Sequence, residues 1–325
     1  MPGILRSGMF VTVTPNAALD KTLDVANFQL GQRHRCQQGR VQAGGKGINV
    51  ARAVAAAGEE CTAVVPLAPG DPFESLLGDA ALVESALHTC LVPVRGRVRA
   101  NLTITDPAGV TTKLNLPGAR LSADEVAAVV DATVAASAHA AWLVLAGSLP
   151  PRVADDFSVR VIRAVREAHG AAAPLIAVDT SGPALAAVVA QGAPDLIKPN
   201  DDELAELAGT RLEGRDPAAI LAVARTLVPA RVGAALVTLG AQGAVLVTAD
   251  GAWTAGPPPI QVVSTVGAGD SSLAGYVLAA TRQAAPEERL RHAIRYGAAA
   301  ASLPGTQAPT PADLPAGDVT VTRLP

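Results

Sequence analysis

In the stretch Val263-Ser-Thr-Val-Gly-Ala-Gly-Asp-Ser-Ser272, two glycines one residue apart stand directly before an aspartate. Small and apolar residues continue to Ala280, a composition that suits a buried helix. Glycine costs backbone entropy and is kept where φ is positive or where something approaches the backbone closely. If a helix begins here, the N–H groups of Gly267, Ala268 and Gly269 point from its positive end toward a developing negative charge, and Asp270 can take a proton from an attacking hydroxyl. The plain alternative is an aspartate that only caps the helix. A dinucleotide fingerprint is excluded, because its third glycine would have to stand where Ser272 is.

A second glycine-rich segment, Ala43-Gly-Gly-Lys-Gly-Ile-Asn-Val-Ala-Arg52, precedes the helical run that continues through ARAVAAAG. Backbone N–H groups freed at such a helix start suit an anionic or hydroxyl-rich ligand, although a tight strand-to-helix turn would use the same residues. The spacing is not that of the Walker A loop. Lys21, Lys46, Lys113 and Lys198 are the lysines among 26 basic residues, so in this arginine-rich chain the lysines at 46 and 198 draw notice.

These residues need elements to hold them. After residue 120 the rhythm is helix and apolar strand in alternation. Ser122-Ala-Asp-Glu125 has the form of a capping box ahead of a helix that runs to about 138. WLVLAG (142–147), LIAVD (175–179), DLIK (195–198) and AALVTLG (234–240) read as strands, with helices over 153–169, near 183–190 and over 201–208. Continuous apolar strands between helices predict an α/β fold, a mostly parallel sheet covered on both faces, with ligands gathered at the strands' carboxyl ends. The segments SLP, DTS, KPN and TLG fall at those ends. Residues 20–118 behave differently: RVRANLTIT (97–105) and VTTKLNL (110–116) alternate with period two around the turn signal Asp106-Pro-Ala-Gly109, which predicts a hairpin. With the polar stretch at 31–43 it forms a small sheet standing off the main body. We therefore expect one domain over 1–325, with a discontinuous β-lid from about 20–43 and 96–118.

At 325 residues and 49% hydrophobic composition the chain can bury a large core, and a formal charge of −3 gives no global field for nucleic acid. Three dispersed cysteines, Cys36, Cys61 and Cys90, fit neither a disulfide framework nor a zinc site, and no apolar run approaches the roughly 18 residues that span a bilayer. A soluble, cytoplasmic protein without membrane or nucleic-acid partners is expected.

Taken in order, Thr14-Pro-Asn-Ala-Ala-Leu-Asp20, the Gly-Gly-Lys-Gly-Ile-Asn-Val-Ala-Arg52 segment, Lys198-Pro-Asn-Asp-Asp-Glu203, Thr238-Leu-Gly240 and Ser264-Thr-Val-Gly-Ala-Gly-Asp270 resemble the ribokinase-like PfkB carbohydrate kinases, from about residue 10 to 315. The resemblance implies a three-layer α/β/α domain with a small β-sheet lid that also forms a homodimer interface. It implies phosphoryl transfer from ATP, with Mg²⁺ and a K⁺ requirement left open, to a sugar phosphate, most closely in the branch that acts on fructose 1-phosphate. The branches acting on tagatose 6-phosphate and fructose 6-phosphate stand near it, and a catalytically silent sugar-phosphate sensor is the alternative of another class. By the same resemblance Asp270 is the base and Gly267, Ala268 and Gly269 are the anion hole. Lys198, Asn200, Glu203, Thr238 and Gly240 serve the nucleotide, Asn200 and Glu203 holding Mg²⁺ through water. Asp20, Gly45, Lys46, Asn49, Arg99, Asn101 and Ser148 serve the sugar phosphate, with Arg99 and Lys46 as cations for the phosphate it already carries. In Lys113-Leu-Asn-Leu-Pro-Gly118, Leu116 stands where many members of that branch are expected to carry an acid.

Overall fold

The chain enters the main body through β1 (Phe10–Val13), leaves it for β2 (Ala18–Asp24) and β3 (Gln38–Gly44), and returns through α1 (Lys46–Ala56) and β4 (Cys61–Leu67). Helix α2 (Pro72–Val83) and β5 (Leu87–Pro93) follow, and the chain leaves again for β6 (Arg99–Thr105) and β7 (Thr111–Asn115). Then come α3 (Ala123–Ala136), β8 (Trp142–Ala146), α4 (Phe157–His169), β9 (Leu175–Asp179), α5 (Gly182–Gln191), β10 (Leu196–Ile197), α6 (Asp201–Ala208), α7 (Pro217–Ala224) and β11 (Ala234–Thr238). The strands β12 (Ala244–Thr248) and β13 (Gly251–Ala255), the helices α8 (Ala268–Thr281) and α9 (Pro286–Ala301), and β14 (Val321–Arg323) complete it. The computed structural model describes residues 8–36, 38–83, 85–106, 111–210, 212 and 216–325. Residues 107–109 of the expected turn at Asp106 to Gly109 therefore lie outside the described residues.

Ten strands form one sheet in the order β14-β13-β12-β11-β10-β9-β8-β1-β4-β5. From β5 across to β11 each neighbouring pair is parallel, and β11 to β14 run antiparallel. The side chains divide by parity, as a pleated strand requires. Trp142 and Val144 pack with α1, α8 and α9, whereas Leu143 and Leu145 pack with α3 and α4 on the other face. This is the three-layer α/β/α arrangement expected from the alternating apolar runs. Local signals set the helix starts: Ser122 and Glu125 exchange the two hydrogen bonds of a capping box at α3. Helix α4 begins at Phe157, four residues after the expected 153, because Arg152 takes a positive φ of 68° and the chain turns once more.

A second sheet has the order β3-β2-β6-β7. Its register places Asp20 opposite Gln42 and Asn101, and Asn101 opposite Asn115. One step along, Arg40, Thr22, Thr103 and Lys113 form the next row on the same face. The opposite face carries Val41, Lys21, Leu102 and Leu114, with Leu19, Leu23 and Ile104 beside them. Period two thus separates a polar face from an apolar one.

The central parallel strands carry the stability. Leu143, with no exposed surface, sits on β8 between β1 and β9, while Leu175 at the start of the adjacent β9 is 43% exposed. Leu143→Ala is expected to lower the unfolding free energy by about 2–5 kcal/mol and Leu175→Ala by less than about 1 kcal/mol in urea titrations, and equal losses would contradict this core.

Candidate active site

The carboxyl ends of the parallel strands and the starts of α1, α6 and α8 meet at one place. Asp179, the last residue of β9, has no exposed side-chain surface. Lys46 Nζ lies 2.8 Å from its Oδ1 and Lys198 Nζ 3.0 Å from its Oδ2, so each carboxylate oxygen faces one ammonium. Lys46 is the first residue of α1, entered through Gly45 at φ 135°, a conformation open to glycine and costly for other residues. Lys198 follows β10, and Asn200 bridges to Thr238 at the end of β11.

Asp270 stands in the first turn of α8 and is 7% exposed. Asn49 Nδ2 donates to its Oδ2 at 2.8 Å. The helix is entered through Gly267 at φ 80°, and the Asp270 side chain makes no capping bond, which removes the plain N-cap reading. A Cβ placed on Gly269 would lie 3.4 Å from Lys198 Nζ, so the glycine turn lies directly beneath that ammonium.

The electrostatics follow from burial. Burial pushes the Asp270 carboxyl up to about 6; the nearby Asp179 charge adds to the rise, and the Asn49 hydrogen bond, Lys198 and Lys46 pull it back. Burial alone would also raise Asp179, but Lys198 and Lys46 outweigh it and hold that carboxyl below its ordinary value. For Lys46 the sign is reversed: burial would lower its pKa, and the charge and hydrogen bond of Asp179 hold it above normal.

The small sheet presents a second group of charges. Asn101 Nδ2 donates to Asp20 Oδ1 at 3.0 Å, and burial raises the Asp20 carboxyl while the Asn101 bond, Arg99 and Lys113 oppose the rise. A Cβ on Gly44 would fall 1.9 Å from Asp20 Oδ2, so that position requires glycine for the aspartate to sit where it does. Arg99 Nη1 donates to the Leu116 carbonyl and Nη2 to Ser148 Oγ, both at 3.2 Å. Burial lowers the Arg99 pKa, and Asp20 opposes that shift. A cleft of about 740 Å³ separates Asp20, Asn101, Arg40 and Lys113 on the sheet from Ser264 and Thr306 on the main body.

Most of the residues singled out in the sequence gather around these two groups. Gly267, Ala268, Gly269, Asp270, Asn49, Lys46 and Lys198 gather around Asp179, and Asp20, Asn101 and Arg99 meet on the small sheet, where Arg99 reaches Ser148 beyond β8 of the main body. Asn200 and Glu203 form the capping box of α6, with Glu203 N on Asn200 Oδ1 at 2.7 Å and Asn200 N on Glu203 Oε2 at 2.9 Å, and the Glu203 charge reaches Lys46. Gly240 opens a short 3₁₀ turn after β11 at φ 59°. Leu116, where an acid was expected, is 51% exposed. Lys46, expected at the sugar phosphate, is paired through Nζ with Asp179 Oδ1 at 2.8 Å.

Two residues escaped the sequence reading. Asp179 was visible only as the acid ending the apolar run LIAVD at a strand's carboxyl end. Asn16 donates through Nδ2 to the Pro117 and Leu149 carbonyls and to Ser148 Oγ, and so ties the small sheet's exit to the SLP segment. It lies in the Thr14-Pro-Asn-Ala-Ala-Leu-Asp20 motif, but nothing local shows which partners it ties together.

The family model described as "pfkB family carbohydrate kinase" matches residues 14–313. The chain is 35% identical over 327 residues to the 1-phosphofructokinase of Rhodobacter capsulatus, covering 97% of this chain and 98% of that one. It is 32% identical over 300 residues to the ATP-dependent 6-phosphofructokinase isozyme 2 of Escherichia coli strain K12, covering 91% and 93%. The crystal structure of phosphofructokinase-2 from Escherichia coli in complex with potassium superposes with a TM-score of 0.85 at 31% identity, covering 94% and 96%.

A buried carboxylate with a raised pKa has a stability signature. Its protonated form contributes to folding in full below the unfolded value of 3.8, and that contribution is lost as pH rises through about 6. Asparagine cannot ionise and keeps it. Asp270→Asn is therefore expected to be more stable than wild type by on the order of 2 kcal/mol at pH 8, the gap closing below about pH 4, as read by urea unfolding across pH. A pH-independent difference would place Asp270 in an ordinary environment.

Proposed function

The chain belongs to the pfkB family of carbohydrate kinases, and from that premise we propose that it transfers the terminal phosphoryl group of ATP to fructose 1-phosphate, forming fructose 1,6-bisphosphate. The observation that carries this reading is the polar face of the small sheet, where Asn101 donates to Asp20 and Arg99 reaches Ser148 beyond β8, together with the buried Asp270 at the start of α8. Asp20 and Asn101 suit sugar hydroxyls, and the Arg99 guanidinium suits a phosphate the sugar already carries. Similarity over nearly the full length to a protein named 1-phosphofructokinase supports the same substrate. The likeness to a 6-phosphofructokinase keeps fructose 6-phosphate as the second reading.

In this reading Asp270 accepts the proton of the attacking hydroxyl, and its pKa of about 6 leaves it mostly ionised at neutral pH. The N–H groups of Gly267 to Gly269, at the positive end of the 14-residue α8, receive the charge that develops on the phosphoryl oxygens. Lys198, Thr238 and Gly240, at the ends of β10 and β11, are assigned to the nucleotide. Among the described residues no group of three or more His, Cys, Asp or Glu could hold a metal by itself. Magnesium suits the site in another way, since it keeps several waters and takes phosphate oxygens alongside one or two protein oxygens, and Asn200 and Glu203 offer hard oxygen donors through water. Held there through water by Asn200 and Glu203, Mg²⁺ would neutralise charge on the nucleotide's phosphoryl groups. Potassium is carried over as a proposal from the relative solved with it.

The small sheet is proposed as the lid over the cleft, and its outer face as the contact with a second copy of the chain. Val41, Leu114 and Leu116 are 45%, 52% and 51% exposed there, an apolar patch on a sheet too small to bury it alone. No helix among the described residues is long and apolar enough to cross a membrane.

Initial rates with ATP are expected to give the highest kcat/KM for fructose 1-phosphate among fructose 1-phosphate, fructose 6-phosphate, tagatose 6-phosphate and free fructose. A preference for free fructose would overturn the assignment. Asp270→Asn should lower kcat by on the order of 10²–10⁴ while calorimetric binding of sugar phosphate and ATP is retained, and wild-type kcat/KM should fall as pH drops through about 6. Retention of more than about a tenth of the turnover would assign the base elsewhere. Light scattering at micromolar concentration should give a dimer, and Leu114→Lys a shift toward monomer; an unchanged monomer in both would remove the proposed contact.

A further inference from the structure

The two charge groups do not mix. The charged neighbours that shift Lys46 are Asp179, Asp270 and Glu203, and those that shift Asp20 are Arg99 and Lys113. Arg99 in turn responds to Asp20. One group is therefore built around the sugar-facing sheet, and the other around the start of α8.

Within the second group the geometry is specific. Asp179 is fixed from its backbone outward, since its carbonyl accepts from Gly147 N at 2.9 Å and Lys198 N donates to the preceding Val178 carbonyl at 3.0 Å. Its two carboxylate oxygens then hold Lys46 and Lys198, one each. Without that carboxylate two ammonium groups would face each other in a largely dry place, Lys198 being 6% exposed, and repulsion would drive one of them away. With it, Lys198 lies against Gly269 at the start of α8, and the charges of both lysines reach Asp270. The two lysines and the ionised Asp179 and Asp270 sum to zero. Once Asp270 has taken the hydroxyl proton the set carries one net positive charge, at the moment negative charge is moving between phosphoryl oxygens.

We propose that Asp179 is a positioning residue that holds Lys46 and Lys198 as a paired cationic seat for the phosphoryl group in transfer, so that Lys46 serves the group being moved and not the phosphate the sugar already carries. This rests on the kinase reading above and revises one role within it. Arg99, on the sheet, is left as the cation for the existing phosphate.

The test uses Lys46→Met, Asp179→Asn and the double variant, with kcat and KM for fructose 1-phosphate and for free fructose, and calorimetric binding of fructose 1-phosphate. Lys46 is 38% exposed, so Lys46→Met is expected to fold even if Asp179→Asn does not. The seat predicts that Lys46→Met lowers kcat by on the order of 10²–10³ with both acceptors and leaves the fructose 1-phosphate dissociation constant within about threefold. Asp179→Asn should show the same split, and the double variant should be no more than about threefold worse than the worse single one, because the carboxylate acts through the lysines. A tenfold or larger weakening of fructose 1-phosphate binding with kcat intact, or an effect absent with free fructose, would return Lys46 to the sugar's own phosphate and overturn the proposal. Multiplying effects in the double variant would reduce Asp179 to a structural role. Wild-type turnover in the same series tests the kinase reading separately: if no sugar phosphate is turned over that reading falls, while the Lys46→Met loss on whichever acceptor is used still decides the seat.

Discussion

A carboxylate with no access to water is the constraint on which the rest of this site depends. Asp179 ends β9 beneath the crossing of α1 and the β10 exit, and an unpaired charge there would cost several kcal/mol. Two lysines relieve that cost, and in doing so they fix where α1 may start and where the chain after β10 must run. Gly45 at φ 135° lets the backbone turn so that Lys46 opens α1 beside the carboxylate. The pairing of β9 with β10 brings Lys198 to its other oxygen.

The same buried charges explain why Asp270 is poised where it is. Its own burial and the neighbouring Asp179 raise its pKa, and Asn49 with the two lysines keeps the rise to about 6. An ionised carboxylate under these conditions weakens the fold. The fold tolerates it because α8 is otherwise apolar and closely packed, with Leu273, Ala274 and Val277 fully buried against the sheet.

The small sheet answers a different requirement. Its pleat gives one polar and one apolar face, so a single set of strands can line the cleft with Asp20, Asn101 and Lys113 and still present Val41 and Leu114 outward. The parallel pairing of β2 with β6 joins strands that come from two separate excursions of the chain, each anchored in the main body by β1 and β5. Asn16 fastens the exit of this sheet to the end of β8 through the Pro117, Ser148 and Leu149 contacts.

Much of this was legible in the sequence because the signals are local. Apolar runs, capping residues and glycines before Asp270 and Lys46 act over a few residues, and they specified the α/β alternation, the start of α6 and the glycine turn at α8 without reference to the rest of the chain. Asn200 and Glu203 carry more than the sequence showed, since the two side chains also form the capping box of α6. What the tertiary structure alone decided are the partnerships across the sheet. Lys46 and Asp179 are 133 positions apart and Asn49 and Asp270 are 221 apart, and no periodicity relates residues at such separations. Strand order brings their carboxyl ends together, and burial then makes the charges choose partners. That is why the pairing of Lys46 with a buried carboxylate beside the start of α8 could not be read from either residue's neighbours in the chain.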